Sequence, residues 1–439
     1  MSNPTALTGI VTTDLAAVTR GRFVARESFE KAVTGGVGWL QANLSLTPFN
    51  VIAHPNPWGS SGDLRLLPDA DARFRTSNTG SETAFDLVTG NLVELDGSPW
   101  SCCTRTILVN ALNDLKAQTG LSIVAAFEHE FQLLGAALAK EHVMSFAGLR
   151  RAEGFASQVM AALEEAGLDP EVIISEYGED QFEVTNAPAN GVAAADRAVA
   201  LREIVREIAR NRGWKASFAP KTTLSSVGNG VHIHFSFVDS DGKAVTYDPR
   251  GPSGLSSDAA SFCAGVLRHL PAITPLTASS VSSYYRLKPH NWSSAYTWLG
   301  DKDREATLRI CPTVTIGGRD PGKSFNIEYR AADATANPYL ALAAIVRAGI
   351  EGLKEKLPCP AVHAGDPEEL SEQQRAEKGL RRLPQSLAGA LDELKKDPVV
   401  TSWFSDVFLE TFLGLKAFEM QSLEDLDEDS ICARYRAVY

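Results

Sequence analysis

One stretch, residues 228–237, constrains the fold of this chain more than any other. It reads Gly-Asn-Gly-Val-His-Ile-His-Phe-Ser-Phe. A β-strand turns successive side chains to opposite faces, so His232, His234 and Ser236 share one face and four apolar residues share the other. The apolar face suits a core, which leaves the imidazoles facing a polar site, and imidazole binds divalent metals and phosphate. Taken alone, the pattern is more typical of a half-buried strand with two solvated histidines.

Three other segments carry the same alternation of polar and apolar residues. Their polar faces present, in chain order, Glu128, Glu130 and Gln132, then Glu183, then Asn326, Glu328 and Arg330. If the four strands share a sheet, these side chains converge on one site rich in oxygen ligands. Carboxylates at such short distances repel one another unless cations lie among them. The pattern therefore predicts a divalent-metal site on one face of a sheet.

Composition excludes several classes of protein. With 54 acidic and 42 basic residues, the chain of 439 has a net charge of −12, which argues against nucleic acid or an anionic membrane as the main partner. No apolar run approaches the ~18 residues of a membrane span, and the N-terminus lacks a secretion signal. Six cysteines without paired metal spacing favour reduced thiols. We expect a cytoplasmic protein.

Local patterns predict a small sheet-rich unit followed by a larger one with long helices. The first holds a helix over 27–40, broken by Gly35, Gly36 and Gly38, and short strands at 64–67, 84–88 and 91–95, the last two joined by a turn at Thr89-Gly90. A linker near residue 100 divides the chain into predicted domains 1–100 and 101–439. In the second unit, helices are predicted over 105–119 and 194–211, around Phe155–Leu163, and from Pro338 with Asn337 as N-cap.

Seven motifs, taken in order, resemble the glutamine synthetase superfamily over about residues 100–420. They are Phe127–Phe131, Glu176–Glu183, Ala219–Lys221, Gly228–Ser236, Tyr284–Leu287, Asp303–Arg309 and Asn326–Tyr339. The resemblance implies an α+β fold, with a small β-grasp-like N-terminal domain followed by a catalytic domain whose curved antiparallel sheet is backed by helices. It also implies a ring-shaped homo-oligomer, commonly a dodecamer, with each active site between neighbouring subunits.

Position by position, the resemblance implies ATP and two or three Mg²⁺ or Mn²⁺ ions as cofactors. The residues matching the ligands of one cation are Glu130, Glu176 and Glu183, and those matching the ligands of a second are Glu128, His232 and Glu328. Those matching contacts to the nucleotide are His234, Ser236, Arg309 and Lys323. Arg304 matches a catalytic arginine at the transferred phosphoryl group, and Arg309 also matches a γ-phosphate contact. Gly228, Arg286 and Arg330 match contacts to the amino-acid substrate.

The implied chemistry is amide formation in two steps. A carboxylate of glutamate attacks the γ-phosphorus of ATP, giving an acyl phosphate, and an amine then displaces phosphate. The first step requires that the reactants are positioned and that their charge is neutralised. In this family the two metals and the arginines do both. In this family the usual amine is ammonium.

Two departures predict a different amine. The family's ammonium-binding glutamate, in a Pro-Gly-Tyr-Glu-Ala motif, is replaced here by Trp292, and the loop 54–62 lacks the family's second ammonium-binding acid. Burying a cation without counter-charge is costly, whereas an indole favours an organic amine. The chain therefore resembles γ-glutamyl amide ligases of amine or polyamine catabolism, with Trp292 at the amine site.

Three alternatives remain open from the sequence. In the first, Trp292 packs without contacting substrate and the protein is a true glutamine synthetase. In the second, the chain is a non-catalytic ring-forming relative. The second alternative gives no reason for keeping all six matching metal ligands. The family's Asn-Gly-Ser-Gly loop reads Val-Gly-Asn-Gly at 227–230, which leaves open an acid other than glutamate.

Overall fold

The computed structural model describes residues 5–439. Its first sheet has five strands in the order β2-β1-β5-β4-β3, in which β1 and β5 run parallel and the other neighbours antiparallel. The elements are β1 (Leu7–Thr13), β2 (Thr19–Ala25), α1 (Phe29–Gly35), β3 (Val37–Leu40), β4 (Asp63–Thr76) and β5 (Phe85–Val93). This sheet with one short helix agrees with the β-grasp-like unit. The first four residues of the predicted domain lie outside the described part.

The structure agrees with the predicted break of the first helix at its glycines and contradicts the predicted hairpin. The helix expected over 27–40 ends at Gly35, because Gly36 has a φ of 62° and the next four residues pair with β4 as β3. The hairpin turn expected at Thr89-Gly90 does not exist, since both residues lie inside the continuous strand β5. A Cβ on Gly90 would lie 2.5 Å from the Leu67 carbonyl oxygen, so glycine here permits close strand approach beside a bulge in β4.

The second sheet has ten strands. They are β6 (Ser122–Leu134), β7 (Pro170–Ser175), β8 (Gln181–Asn186), β9 (Ala189–Asn190), β10 (Lys215–Ser217), β11 (Val231–Val238), β12 (Leu299–Asp301), β13 (Leu308–Ile310), β14 (Ile327–Tyr329) and β15 (Val362–His363). The main path is β15-β12-β13-β14-β11-β6-β8-β7, and β9 and β10 also pair with β6. Its centre, from β13 to β7, is antiparallel. The predicted α+β fold class is confirmed.

Twelve further α-helices lie between residues 104 and 438. They are α2 (Thr104–Thr119), α3 (Phe146–Arg150), α4 (Glu153–Glu165), α5 (Gly191–Asn211), α6 (Ser257–Thr277), α7 (Ser283–Arg286), α8 (Pro338–Glu355), α9 (Glu372–Glu377), α10 (Leu387–Lys396), α11 (Pro398–Thr401), α12 (Asp406–Gln421) and α13 (Glu428–Val438). Asn337 caps α8 as expected, accepting hydrogen bonds from the N–H groups of Tyr339 and Leu340. Within residues 5–439, no helix combines the length and apolar character that a membrane crossing requires.

The alternation read from the sequence decides which face of the sheet is polar. In β6 every second residue from Ile123 to Leu133 is buried, and in β11 the side chains of Val231, Ile233, Phe235 and Phe237 are at most 4% exposed. These side chains join the core with α5, α6 and α8. The opposite face of β6 and β11 is left free to form a site.

Candidate active site

Strand register brings histidines and carboxylates together at the centre of the second sheet. His232 lies opposite Glu128 across β11 and β6, and His234 lies opposite Glu328 across β11 and β14. The His232 Nδ1 is 2.6 Å from Glu128 Oε1 and 3.5 Å from Glu328 Oε1. The His234 Nε2 is 3.4 Å from Glu128 Oε2 and 3.9 Å from Glu328 Oε1. Both imidazoles therefore face the same two carboxylates.

A second set of carboxylates lies on the β8 side. Glu130 pairs with Glu183 across β6 and β8, and Glu176 follows the end of β7. Glu130 Oε2 accepts a hydrogen bond of 2.6 Å from the N–H of Gly230. Together with the first set, this gives one polar surface shared by five strands of the sheet.

The site contains two groups of three potential metal ligands, and within each group the ligand atoms lie within 4.8 Å of one another. One consists of Glu128, Glu183 and His232, and the other of Glu128, His234 and Glu328. Glu128 thus belongs to both groups. The grouping differs from the one that the sequence predicts, because His234 joins a carboxylate group although its predicted contact is the nucleotide.

Charge repulsion makes this surface costly without cations. Burial, together with the charges of Glu128, Glu130 and Glu176, raises the pKa of Glu183 to about 10. Burial, followed by the charge of Glu130, also raises the pKa of Glu176. Carboxylate oxygens with an imidazole are a donor set that suits Mg²⁺ or Mn²⁺. The residues present therefore fit divalent cations, which would relieve this repulsion.

The carboxylates on the other side of the site are ionised. Burial acts to raise the pKa of Glu328, but the charges of His232, Arg330 and His234 outweigh it and lower the pKa to about 2. Burial likewise opposes ionisation of Glu128, and hydrogen bonds from the two histidines still hold its pKa well below the usual value. Neighbouring cationic groups therefore neutralise Glu128 and Glu328, whereas Glu176 and Glu183 are crowded by other carboxylates.

Two predicted arginines meet at Glu328. Arg309 donates from one terminal nitrogen to Glu328 Oε2 at 2.8 Å, and its buried Nε finds no acceptor within residues 5–439. Arg330 donates to Glu328, to the carbonyl oxygen of Arg304 at 2.9 Å and to that of Trp292 at 3.0 Å. Arg330 is thus occupied by protein groups, whereas the Arg304 side chain is exposed and Arg309 keeps a free donor.

A cavity of about 240 Å³ opens between β6, β11 and the segment 323–326. Its lining includes Glu128, His234, Ser236, Lys323 and Asn326. All but Arg309 of the residues predicted to contact the nucleotide therefore line one cavity beside the carboxylates. The volume is below the roughly 300–1,000 Å³ of a whole-ligand pocket, so the cavity fits part of a nucleotide.

Gly228 and Arg286, both predicted to contact the amino acid, lie against each other. A Cβ on Gly228 would be 2.6 Å from Arg286 Cγ, so only glycine leaves room for this arginine. Arg286 is 3% exposed and donates to the carbonyl oxygens of Ala331 and Ala332 at 3.0 and 2.7 Å. Its buried Nε has no acceptor in the described part of the chain.

Trp292 lies on a loop after α7 with an uncommon backbone. His290, Trp292 and Ser294 have φ values of 63°, 52° and 75°, a region that costs energy for residues other than glycine. The N–H of Trp292 donates to Glu305 Oε1 at 2.8 Å, opposite the bond from Arg330 to its carbonyl oxygen. The indole is 51% exposed and meets the Tyr177 ring edge-to-face at 5.3 Å.

Comparison with known protein families decides the identity of the fold. The family model described as "Glutamine synthetase, catalytic domain" matches residues 101–435, and that described as "Glutamine synthetase N-terminal domain" matches residues 2–100. The chain belongs to the glutamine synthetase family. The resemblance stated from the seven motifs is therefore confirmed.

Similar proteins include both amine-specific and ordinary members of the glutamine synthetase family. The γ-glutamylpolyamine synthetase GlnA3 of Streptomyces coelicolor is 34% identical over 97% of this chain and 92% of its own. A glutamine synthetase of Pyrococcus furiosus is 31% identical over 95% of this chain and 91% of its own. A solved structure described as a novel glutamine synthase homologue is 42% identical, covers all of both chains and has a TM-score of 0.92.

Three features of this family member are not found by reading the sequence. The ring of Tyr177 pairs with Trp292, Glu305 holds the Trp292 loop, and Cys311 Sγ lies 3.7 Å from His234 Nδ1. Tyr177 directly follows the predicted metal ligand Glu176, which was the available signal. Trp58, in the loop 54–62, packs against Trp100 with ring centroids 5.3 Å apart.

Proposed function

We propose that this protein is an ATP-dependent ligase that joins the γ-carboxylate of glutamate to an organic amine through a γ-glutamyl phosphate. The products are a γ-glutamyl amide, ADP and phosphate. The observation that carries the choice of amine is the half-exposed indole of Trp292, paired with Tyr177 beside Glu176. Aromatic rings contact hydrocarbon and organic cations. Similarity to a γ-glutamylpolyamine synthetase supports the same choice.

The remaining roles follow the positions of the side chains. We assign two or three Mg²⁺ or Mn²⁺ ions to the six predicted ligands, where they would neutralise phosphate charge. ATP is assigned to the cavity with His234, Ser236 and Lys323, supported by their shared lining. Arg304 and Arg309 are assigned to the transferred phosphoryl group, because one is exposed and the other keeps an unpaired Nε.

The proposed reaction has two steps. A carboxylate oxygen of glutamate attacks the γ-phosphorus and ADP leaves, and the amine nitrogen then attacks the acyl carbon, loses a proton and expels phosphate. Arg304 and Arg309 would stabilise charge on the phosphoryl oxygens. Gly228, Arg286 and Arg330 are assigned to glutamate. Arg286 has a free buried donor, and Arg330 would orient the site through Glu328 and Trp292.

We further propose that the chain assembles into a ring, a dodecamer of cytoplasmic subunits, and divides into domains 1–100 and 101–439. Support for assembly comes from large apolar side chains that are mostly exposed in the single chain. They are Phe23, Phe146 and Ile316, exposed by 73%, 82% and 81%. The meeting point of the two family models supports the division.

A second candidate function is glutamine synthesis from ammonium. One observation favours it: the carboxylate of Glu305 lies within hydrogen-bond distance of the Trp292 backbone, so an acid is present near the position of the family's glutamate. In that case Glu305 would hold ammonium. This candidate requires that organic amines do not react.

The deciding experiment measures phosphate release with ATP, Mg²⁺ and glutamate against ammonium, alkylamines, polyamines and anilines. Mass spectrometry of the product identifies any γ-glutamyl amide. We expect an organic amine to stimulate phosphate release and ammonium to do so weakly. Stimulation by ammonium alone would establish the second candidate, and silence with every amine would contradict both.

A further inference from the structure

Tyr177 and Trp292, whose rings pair edge-to-face, each donate a backbone hydrogen bond to a carboxylate. Glu176 Oε2 accepts a hydrogen bond of 3.3 Å from the Tyr177 N–H, and Glu305 Oε1 accepts one of 2.8 Å from the Trp292 N–H. Each aromatic ring is therefore carried by a residue whose backbone touches an acid. Of the two acids, Glu176 is assigned to a cation, whereas Glu305 matches no metal ligand or phosphate contact.

Glu305 is held in place by its surroundings. Its own N–H donates to Asp303 Oδ1 at 2.9 Å, and its carbonyl oxygen accepts from the indole N–H of Trp298 at 3.1 Å. Its half-buried carboxylate meets the backbone N–H groups of Trp292 and His290. A carboxylate offers about four acceptor positions, so two N–H donors leave part of it for a ligand.

We propose that Glu305 is the specificity-determining residue of the amine site and selects amines that carry a second cationic group. The inference rests on the proposed function and names its substrate class as aliphatic diamines and polyamines. The reacting nitrogen would face the acyl carbon on the Glu176 side, the hydrocarbon would cross the two rings, and the distal ammonium would bind Glu305. Ammonium–carboxylate bonds are stronger than neutral ones, and the adjacent rings favour the same cation.

The experiment compares 1,4-diaminobutane with butylamine, which has the same hydrocarbon length and lacks the second nitrogen. In the unmodified protein we expect kcat/KM for the diamine to exceed that for butylamine at least tenfold. Glu305→Gln keeps an oxygen that can accept from the Trp292 N–H and removes the charge. It should raise the KM for the diamine about tenfold, with kcat and the KM for butylamine, glutamate and ATP within twofold.

Two further variants separate recognition of charge from support of the loop. Glu305→Asp keeps the charge and should restore part of the diamine preference, whereas Tyr177→Ala removes one ring and should raise the KM for both amines. The matched control, Glu369→Gln, removes an exposed acid elsewhere and should change neither. Equal effects of Glu305→Gln on the two amines would overturn the inference, because the residue would then act on the loop alone.

The two proposals fail in distinguishable ways. If the unmodified protein forms γ-glutamyl amides with butylamine and the diamine equally well, the ligase assignment stands and the role of Glu305 is overturned. If it forms none with these two amines but does so with another organic amine, the ligase assignment stands and the role of Glu305 is overturned, whereas silence with every amine overturns both proposals. Thermal melting of each variant confirms that a changed KM reflects a folded protein.

Discussion

The two sides of the active site are built in different ways. The side proposed to bind metal ions lies on paired strands, where backbone register sets His232 opposite Glu128 and Glu130 opposite Glu183. The side proposed to bind the amine lies on loops, where Trp292 has a positive φ and is held by Glu305 and Arg330. Strands fix ligand positions rigidly, while loops tolerate replacement. Under the proposed function, we therefore expect the sheet to fix the phosphoryl chemistry and the loops to set the choice of amine.

The two sides also differ in charge. On the sheet side, burial and the charges of Glu128, Glu130 and Glu176 disfavour ionisation of Glu183, so we expect cations to stabilise this side. On the loop side, the rings of Tyr177 and Trp292 pack against each other. Variants on the two sides should therefore affect different measurements.

The largest effect is expected for Glu328→Gln on the sheet side. Arg309 and Arg330 both pair with this buried carboxylate, so its loss leaves two buried guanidinium groups without a counter-charge. We expect destabilisation of about 3–5 kcal/mol and a loss of phosphate release of about 10³-fold or more. Glu369→Gln serves as the control. Retention of activity within tenfold would remove Glu328 from the metal site.

The next effect concerns the stability of the metal-free protein against pH. The pKa of Glu183 is raised to about 10 in the folded protein. Between its unfolded pKa near 4.5 and this value, the folded state binds a proton that the unfolded state releases. The free energy of unfolding therefore falls as pH rises, by up to about 1.4 kcal/mol per pH unit from this group.

Glu183→Gln removes this titration and should flatten the decline. Urea unfolding in a chelator between pH 5.5 and 8 measures it, with Glu369→Gln expected to keep the slope of the unmodified protein. Added Mn²⁺ should stabilise the unmodified protein more than it stabilises the Glu183→Gln variant, and the difference should be clearest at the higher pH. Identical slopes in both variants would show that repulsion at Glu183 does not govern stability.

The polar face of the sheet could be predicted from the sequence because strand periodicity is local. Glu128, Glu130, His232 and Glu328 alternate with buried apolar residues, and the structure places them as that alternation requires. The cross-strand partners could not be predicted, since register depends on the whole sheet. This is why His234 is found among the carboxylates of a potential metal group.

The loop side could be predicted only in part. Trp292 is conspicuous in the sequence as a departure from the family, but its positive φ and its pairing with Tyr177 depend on contacts from distant segments. The same limit explains why the prediction of a hairpin at Gly90 is wrong. A glycine that allows close approach of two strands looks like a turn residue until the neighbouring strand is known.

A smaller effect is expected on the loop side for Trp292→Glu. This change restores an acid where the family binds ammonium and removes the indole, so the ratio of kcat/KM for ammonium to that for an organic amine should rise about 10- to 100-fold. Trp292→Phe keeps a ring and should shift the ratio much less. Phosphate release under matched ammonium and amine concentrations measures both. An unchanged ratio would remove Trp292 from amine selection.

The smallest effect tests the nucleotide side of the comparison. Ser236 lines the cavity with His234 and Lys323 on the sheet, so its hydroxyl should contact ATP and play no part in amine choice. Loss of one hydrogen bond is worth about 0.5–1.5 kcal/mol, so Ser236→Ala should raise the KM for ATP about 2- to 12-fold with the KM for the amine unchanged. Ser240→Ala, on an exposed turn after β11, is the matched control. If Ser236→Ala raised the KM for the amine instead, the sheet would take part in selecting the amine and the division between the two sides would not hold.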